Sequence, residues 1–199
     1  MHPTKDAELV FRCLEGDTEA FAALVQRYQG AVYATAHYYA GRYGAAEDIV
    51  QESFWSAYRS LPHLKEAEKF GAWLKEITTR TAANWLRRNL PRLRNETPLP
   101  YRRTISIEDV RQGPGKRLER GERYERVQRA IDALPERYRL PVVLRYLQEL
   151  SYEEISQFTG ESRDEIRGIL HRAGRQLRET LMDLDEQSEG EAKWHPVRK

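Results

Sequence analysis

Basic side chains recur along the segment that follows Ser162. The set comprises Arg163, Arg167, His171, Arg172 and Arg175. A guanidinium donates paired hydrogen bonds to a guanine edge or holds a phosphate, so arginines along a helix suit duplex DNA. The solvated face of an ordinary helical bundle also carries arginines, and these residues alone do not separate the two interpretations.

Two helix-start signals around this segment favour the DNA interpretation. Ser151 precedes Glu154 by three residues, and Ser162 precedes Glu165 by the same spacing, which is that of a capping box. Starts this close together leave room for one short helix and one tight turn, which Gly160 is placed to make. The pattern predicts a helix-turn-helix, whose second helix enters the DNA major groove by its N-terminal half.

A second group of side chains suits a protein partner. In the predicted helix from Glu47 to Arg59, one side carries Asp48, Gln51, Glu52 and Trp55. An exposed tryptophan beside acids is typical of a contact site, and an acidic face suits a basic protein helix better than DNA. The alternative is a charged surface with Trp55 packed on a neighbour. The opposite side is predicted to be buried through Val50, Phe54, Ala57, Tyr58 and Leu61.

The predicted helix over residues 70–88 combines basic groups with an amide and aromatic rings. Its outer edge carries Arg80, Asn84, Arg87 and Arg88. Single-stranded nucleic acid is bound by this combination, with charge on the backbone and rings on the bases. We expect Trp73 and Trp85 in the core, which leaves the basic edge as the functional part. The predicted core side comprises Phe70, Leu74, Ile77, Thr81 and Trp85.

The sequence shows no pattern typical of a catalytic or metal site. It has no carboxylate cluster, no His/Cys ligand spacing and no Gly-rich phosphate loop, and its five histidines are scattered. Its single cysteine, Cys13, excludes an internal disulfide and a zinc site built from cysteines. We therefore predict a protein that is not an enzyme and uses no metal or cofactor.

The composition is that of a soluble, helix-prone chain, with 40% hydrophobic and 32% charged residues among 199. No apolar run approaches the roughly 20 residues of a membrane span, and no secretion signal is visible, so we expect a cytoplasmic protein without membrane insertion. The net charge of +2 conceals a separation. Six arginines lie within residues 87–103 beside a single acid, whereas five acids and no base lie within residues 183–191.

The predicted fold is all-α, with two small helical domains over residues 5–90 and 122–182. Residues 91–121 have the composition of a flexible linker rich in arginine, proline and glycine. Residues 183–199 form a tail that is first acidic and then basic. The helix-turn-helix lies in the second domain.

The chain resembles the extracytoplasmic-function (group IV) sigma factors of the sigma-70 family along nearly its whole length. The stretches "AAEDIVQESFWSAYRSL" and "FGAWLKEITTRTAANWLRR" are similar to the family's sigma-two domain, and "ALPERYRLPVVLRYLQELSYEEISQFTGES" is similar to its sigma-four domain. Two domains in this order make the match specific, which a helix-turn-helix alone would not. The resemblance implies a factor that binds core RNA polymerase and directs promoter-specific transcription initiation.

The resemblance also implies a role for each surface. The β′ clamp helices of the polymerase would bind Asp48, Gln51, Glu52 and Trp55. The minus-10 element would be opened and read by Lys69, Arg80, Asn84, Arg87 and Arg88. The minus-35 element would be read by Ser162, Arg163, Glu165, Arg167, Gly168, His171, Arg172 and Arg175. The linker would pass through the polymerase toward its exit channel. An anti-sigma protein would bind between the domains and could hold the factor at the membrane.

Several positions depart from the family pattern. Arg80 stands where asparagine is common, and Asn84 where aspartate is common. In the recognition helix, Ile169 and Gly174 replace usual arginines, from which we expect a weaker minus-35 contact. The alternative function is a stand-alone helix-turn-helix regulator that binds DNA without polymerase. It predicts no acidic helix with a tryptophan and expects a receiver or ligand domain, and the sequence fits neither expectation.

Overall fold

The computed structural model describes residues 5–93 and 126–193, and every regular element among them is helical. The first stretch contains α1 (Asp6–Leu14), α2 (Thr18–Ala40), α3 (Ala46–Ser60) and α4 (Phe70–Leu93). The second contains α5 (126–133), α6 (Glu136–Tyr146), α7 (Tyr152–Thr159) and α8 (Arg163–Lys193). The predicted all-α class is confirmed. Most of the predicted linker, residues 94–121, lies outside the described residues, as do residues 194–199 of the predicted tail.

Glycines and one aspartate set the limits of α2. Asp17 precedes the helix, and one of its carboxylate oxygens accepts hydrogen bonds from the backbone amides of Glu19 and Ala20 at 3.0 and 3.3 Å. Arg12 binds the other oxygen at 2.7 Å, and its hydrogen bonds hold the pKa of the Asp17 carboxyl below its usual range. At the far end the chain turns through a short 3-10 helix and a left-handed residue, Gly44, with φ 69°. Helix α2 therefore ends before α3 begins.

Helices α1 to α4 form a bundle around large apolar side chains of α2 and α4. The core contains Leu24, Val32, Phe70 and Leu74. Their side chains are 0% exposed, so water is excluded from this core. A second cluster, made of small residues, lets the backbones of α2, α3 and α4 approach closely. It comprises Ala36, Ala40, Ala45, Ala46, Ile49 and Ala82.

Three polar side chains are buried in the bundle without any loss of hydrogen bonding. The hydroxyls of Thr35, Ser53 and Thr78 donate to backbone carbonyls one turn earlier, at 2.8, 2.6 and 2.9 Å. A hydroxyl satisfied in this way can be buried at little cost. Polar residues therefore take core positions that hydrophobic periodicity assigns to the surface.

These hydroxyls account for part of two errors in the predicted buried faces. On α3 the core side is Ala46, Ile49, Ser53, Phe54 and Ala57, and Leu61 just beyond the helix is buried as predicted, whereas Val50 is half-buried and Tyr58 is 40% exposed. On α4 the core stripe continues from Leu74 through Thr78 and Ala82. The predicted positions Ile77, Thr81 and Trp85 are only partly buried. Helix α4 also extends beyond its predicted end at Arg88, to Leu93.

Both predicted capping boxes are present. The Ser151 hydroxyl accepts from the Glu154 amide at 3.2 Å, while the Glu154 carboxylate accepts from the Ser151 amide at 2.8 Å. Ser162 and Glu165 repeat the arrangement, with distances of 3.3 and 2.8 Å. Gly160 ends α7 in the left-handed conformation, with φ 81°. The predicted short helix, tight turn and second helix are therefore confirmed.

The spacing of Cα atoms divides the chain into two compact units. Among the described residues, one unit contains 5–93 with 143–166, and the other contains 126–142 with 167–193. Helix α7 and the first turn of α8 thus belong to the same unit as the α1–α4 bundle. The boundaries proposed for the two domains follow chain order and stay a prediction. Helix α8 runs on to Lys193, so the first part of the predicted tail continues this helix.

None of the helices among the described residues combines the length and the apolar character that crossing a membrane requires.

Replacing Ser151 with alanine is expected to lower the free energy of unfolding by about 1 kcal/mol, because the start of α7 loses its cap. The matched control is Ser56→Ala in the middle of α3, where alanine is the better helix former and stability should not fall. Urea unfolding followed by circular dichroism measures both variants. Equal stability of Ser151→Ala and the wild type would contradict the role of the cap.

Candidate protein and nucleic-acid interfaces

The acidic face of α3 comprises Asp48, Gln51, Glu52 and Trp55. All four side chains are exposed, and their spacing over two helical turns keeps them on one side of α3. Trp55 has 57% of its surface exposed, which is high for so large an apolar ring. The structure therefore brings together every residue that the sequence predicted for a protein contact.

Tyr58 joins this face although the sequence placed it in the core. Its ring stacks with that of Trp55, with centroids 6.5 Å apart and planes 24° apart. It also packs edge to face with the ring of Phe21 from α2, with centroids 4.9 Å apart and planes 68° apart. The three rings form an aromatic row that supports Trp55 while leaving it open to a partner. The spacing of Trp55 and Tyr58, three residues apart on a helix, was a signal that sequence reasoning could have used.

The basic edge of α4 comprises Arg80, Asn84, Arg87 and Arg88. The three arginines are exposed, and Asn84 is half-buried and accepts a hydrogen bond from Arg87. Lys69, the fifth residue predicted for the minus-10 contact, lies just before α4 and pairs with Glu66 at 2.7 Å. The rise of a helix places Lys69 about 28 Å from Arg88, so Lys69 is well separated from Asn84, Arg87 and Arg88 in the second half of α4.

The two tryptophans of α4 support the helix from its inner side. Trp73 packs beside Phe70, with ring centroids 5.9 Å apart, and Trp85 beside Tyr43 at 6.2 Å. Both rings are half-buried. Their expected core role is thus only partly realised, and the arginines are the more exposed groups of this edge.

On α8, Arg163, Arg167, His171 and Arg175 are all exposed. Arg163 lies 3.4 Å from the Glu153 carboxylate of α7. Ser162 and Glu165 belong to the capping box at the start of the helix, where the Ser162 hydroxyl also donates to Glu165 at 2.6 Å. Their polar groups are therefore engaged in starting α8.

Arg172 and Gly168 differ from the other predicted minus-35 residues. Arg172 donates a hydrogen bond to the Tyr138 hydroxyl of α6 at 3.1 Å, and its guanidinium lies 5.8 Å from the centre of that ring. The hydrogen bond lowers the pKa of the Tyr138 hydroxyl. A Cβ at Gly168 would come within 3.3 Å of the Arg172 guanidinium, so the glycine leaves room for this side chain. The pair helps to position α8 on α6.

The two departures in α8 do not lie on its exposed side. Ile169 is 5% exposed, and Gly174 is half-buried. An isoleucine suits a buried position, where an arginine would lose its hydration. The expectation that Ile169 weakens DNA contact by removing a surface arginine is therefore not supported by its position.

No group of three or more His, Cys, Asp or Glu side chains in the described stretches is arranged to hold a metal ion. Cys13 is half-buried on α1, and burial raises the pKa of its thiol. Burial likewise lowers the pKa of the half-buried His37.

Two known protein families match this chain, one in its N-terminal half and one in its C-terminal half. The Sigma-70 region 2 family matches residues 24–90, and the Sigma-70, region 4 family matches residues 124–177. Together the two matches cover more than half of the chain. The region 2 match contradicts the alternative of a stand-alone helix-turn-helix regulator, because that alternative does not account for a sigma-70 region 2 at residues 24–90.

Three curated relatives extend the similarity over most of the chain. The ECF RNA polymerase sigma factor SigW of Bacillus subtilis is 31% identical, covering 85% of this chain and 93% of its own. The ECF RNA polymerase sigma-E factor of Haemophilus influenzae is 33% identical, with 90% and 96% covered. The factor of the same name from Escherichia coli K12 is 35% identical, with 76% and 81% covered.

A solved structure, that of CnrH in complex with the cytosolic domain of CnrY, has a similar fold. The TM-score is 0.57 at 24% identity, and 90% of this chain and 98% of the other are covered. Sigma factors are transcription initiation factors rather than enzymes, so the family confirms that this protein is not an enzyme. With both family regions in order and relatives above 30% identity along most of its length, the chain belongs to the ECF RNA polymerase sigma factors, which direct transcription initiation.

Proposed function

We propose that this sigma factor binds core RNA polymerase through the acidic face of α3, with Trp55 as the central apolar contact. The observation that carries the proposal is the exposure of Asp48, Gln51, Glu52 and Trp55 on one side of the helix, supported by Tyr58. Carboxylates attract a basic helix and select its register, while a fixed ring supplies contact area at little entropic cost. A basic helix would meet both requirements, and the resemblance to sigma factors assigns that role to the β′ clamp helices.

The basic edge of α4 is proposed to bind the minus-10 element as its strands separate. Arg80, Arg87 and Arg88 carry fixed positive charge toward solvent, which attracts the phosphates of either strand. The Asn84 amide can bind a base edge once Arg87 exchanges its hydrogen bond for a phosphate. Lys69 lies at the other end of α4, so it would bind nucleotides displaced by several positions from those at Arg88.

The exposed side of α8 is proposed to read the minus-35 element. Arg167 and His171 are one turn apart in its N-terminal half, the part of a recognition helix that reaches base edges. Arg175 lies a turn further on, where the helix leaves the groove and meets the backbone. Arg172 acts with Gly168 and Tyr138 as a positioning residue, because its guanidinium is bound to α6.

The partners and location follow from these contacts. Core RNA polymerase and promoter DNA are the two partners, and both are met in the cytoplasm. An anti-sigma protein is proposed as a third partner. In its support, the similar protein CnrH was solved in complex with the cytosolic domain of CnrY.

Two alanine substitutions test which arginine of α8 reads base edges and which binds the phosphate backbone. Arg167→Ala is expected to cost about 1–3 kcal/mol on the preferred minus-35 sequence and to flatten the preference at one or two base pairs. Arg175→Ala should weaken all sequences about equally and reduce the salt slope by roughly one.

The measurement uses the full chain with core polymerase, selecting from promoters randomised at the minus-35 element. The matched control is Arg178→Ala, an exposed arginine nearly one turn beyond Arg175. If Arg167→Ala weakens every sequence alike, Arg167 binds phosphate only. Base reading would then belong to His171 or Arg163.

A further inference from the structure

Arg172 is an exposed residue of α8, but its guanidinium is held against the protein on two sides. Its Nε–H donates to the Tyr138 hydroxyl of α6 at 3.1 Å, and its central carbon lies 5.8 Å from the centre of that ring. Its two terminal nitrogens lie over Gly168, where an added Cβ would be 3.3 and 3.4 Å from them. The guanidinium therefore lies along α8, between Tyr138 and the backbone of Gly168.

This arrangement occupies the donors with which an arginine binds DNA. A guanidinium offers two edges for paired hydrogen bonds, one made by Nε with a terminal nitrogen and one made by the two terminal nitrogens. The first edge of Arg172 is used by the Tyr138 hydroxyl. The second lies against Gly168, which has no side chain to keep it at a distance. A phosphate can be bound by a complete edge of Arg172 only after the guanidinium leaves these two residues.

The contact with Tyr138 is strong enough to compete with DNA for Arg172. A hydrogen bond from a charged donor is about twice as strong as one between neutral groups. Tyr138 is 9% exposed, so its hydroxyl would lose a partner in a place that water reaches poorly if the guanidinium left. A contact between an exposed arginine and a phosphate, in contrast, is weakened by salt. The internal bond is therefore favoured at physiological ionic strength.

The position of Arg172 on α8 shows which part of the DNA it would meet if it were free. Successive residues of a helix are turned by about 100°, so His171 and Arg175 lie about 40° and 80° round α8 from Arg167. By the same count Arg172 lies about 140° round, beyond Arg175 in the same direction. Arg175 is proposed to bind phosphate, and a side chain further round meets the DNA backbone as well. A free Arg172 would thus add attraction to phosphate without reading bases.

We infer that Tyr138 is a positioning residue that limits the affinity for DNA, because it binds the Arg172 guanidinium and withholds one phosphate contact from α8. The inference rests on the proposed function, since it takes α8 as the helix that binds the minus-35 duplex. A phosphate contact strengthens binding to every sequence alike, and a genome offers a very large number of non-specific sites. Tyr138 therefore reduces the share of the factor that is held on DNA outside promoters.

Tyr138→Phe tests the inference, because it removes one oxygen and keeps the buried ring. The holoenzyme, formed from the full chain and purified core polymerase, is titrated with a promoter duplex and with a random-sequence duplex between about 50 and 200 mM salt. We expect the log–log salt slope to steepen by about 0.9 for both duplexes, which corresponds to roughly fivefold tighter binding at about 0.15 M salt. The base preference selected from promoters randomised at the minus-35 element should not change.

Removing Arg172 identifies the group that Tyr138→Phe releases. In the wild-type background, Arg172→Ala should leave the salt slope unchanged, because the guanidinium does not meet a phosphate. In the Tyr138→Phe background, Arg172→Ala should abolish the gain, and this non-additivity shows that the two residues act through one contact. Tyr146→Phe is the matched control, since it removes a hydroxyl from a tyrosine that is 59% exposed at the other end of α6. It should change neither slope.

Gly168→Ala provides a second release variant if Tyr138→Phe fails to fold. The added methyl group crowds the terminal nitrogens of Arg172, and alanine is the better helix former. The bond to Tyr138 remains possible in this variant, so only part of the molecules should release the guanidinium. The salt slope should therefore steepen by less than in Tyr138→Phe.

Three results would overturn the inference: an unchanged slope in both release variants, a gain that survives Arg172→Ala, or a shallower slope for Arg172→Ala alone. Arg175→Ala, measured in the same titration, distinguishes these results from a failure of the proposed function. If Arg175→Ala makes the slope shallower and Tyr138→Phe leaves it unchanged, α8 binds DNA and only the role of Tyr138 is wrong. If Arg167→Ala and Arg175→Ala also leave binding unchanged, α8 does not contact DNA, and the proposed function fails together with the inference.

Discussion

Reversing the charges of Asp48 and Glu52 to arginine in one variant should abolish binding to core RNA polymerase. The two side chains are one turn apart on an exposed face, so the variant turns attraction for a basic helix into repulsion at two adjacent points. Losing a single charged partner in an interface typically costs about 2–5 kcal/mol, which is roughly 30- to 4,000-fold in affinity. The double reversal should reach at least that range.

The fold should survive this change. Asp48 lies in the first turn of α3, where an acid is favourable, so its reversal lowers stability by up to about 1 kcal/mol. For a chain of this size that corresponds to a melting temperature lower by about 2–4 °C.

The control is Glu179→Arg with Asp183→Arg, two exposed acids with the same spacing on α8. Fluorescence anisotropy with purified core polymerase measures both variants. Unchanged affinity of the α3 variant would remove the acidic face from the proposed polymerase contact.

Removing the ring of Trp55 should weaken polymerase binding by about 2 kcal/mol or more, roughly 30-fold, with little effect on folding. The ring is already held by Tyr58, so its ordering cost is largely met before binding. Its 57% exposure means that little apolar surface is lost from the folded protein. Trp55→Ala should therefore separate affinity from stability.

Phe11→Ala is the matched control, because Phe11 is an aromatic residue of α1 with 58% exposure. It should leave polymerase affinity unchanged. Titration calorimetry gives both affinities, and thermal unfolding gives both stabilities. If the two alanine variants lose affinity to the same extent, general loss of apolar surface explains the result and Trp55 has no special role.

Local interactions were readable in the sequence because the interacting groups are few residues apart. Each capping box joins residues three positions apart, and both were found where the spacing placed them. Gly160 ends α7 where the sequence placed the turn, because it takes a left-handed backbone that other residues adopt with strain. Four residues on one face of α3 could be grouped from helical periodicity alone.

The buried faces of the helices were harder to predict from the sequence. A Ser or Thr hydroxyl that hydrogen-bonds within its own helix can be buried, so the polarity of a residue does not show whether it is exposed. Ser53 and Thr78 lie in the core for this reason. Conversely, Tyr58 is apolar enough for the core but lies outside, between Phe21 and Trp55. Which apolar residue is covered depends on the neighbouring helix, and helical periodicity does not contain that information.

Contacts between distant parts of the chain were decided by the tertiary structure. The bond from Arg172 to Tyr138 joins residues 34 positions apart, and it gives a predicted DNA-contacting residue a positioning role. The bond from Lys75 to Thr159 spans 84 positions, and with it α7 packs on the bundle. The sequence by itself determined the helices, their caps, the acidic face and the family. Only the fold decided which of these helices meet, because such packing depends on surfaces that form after the helices are assembled.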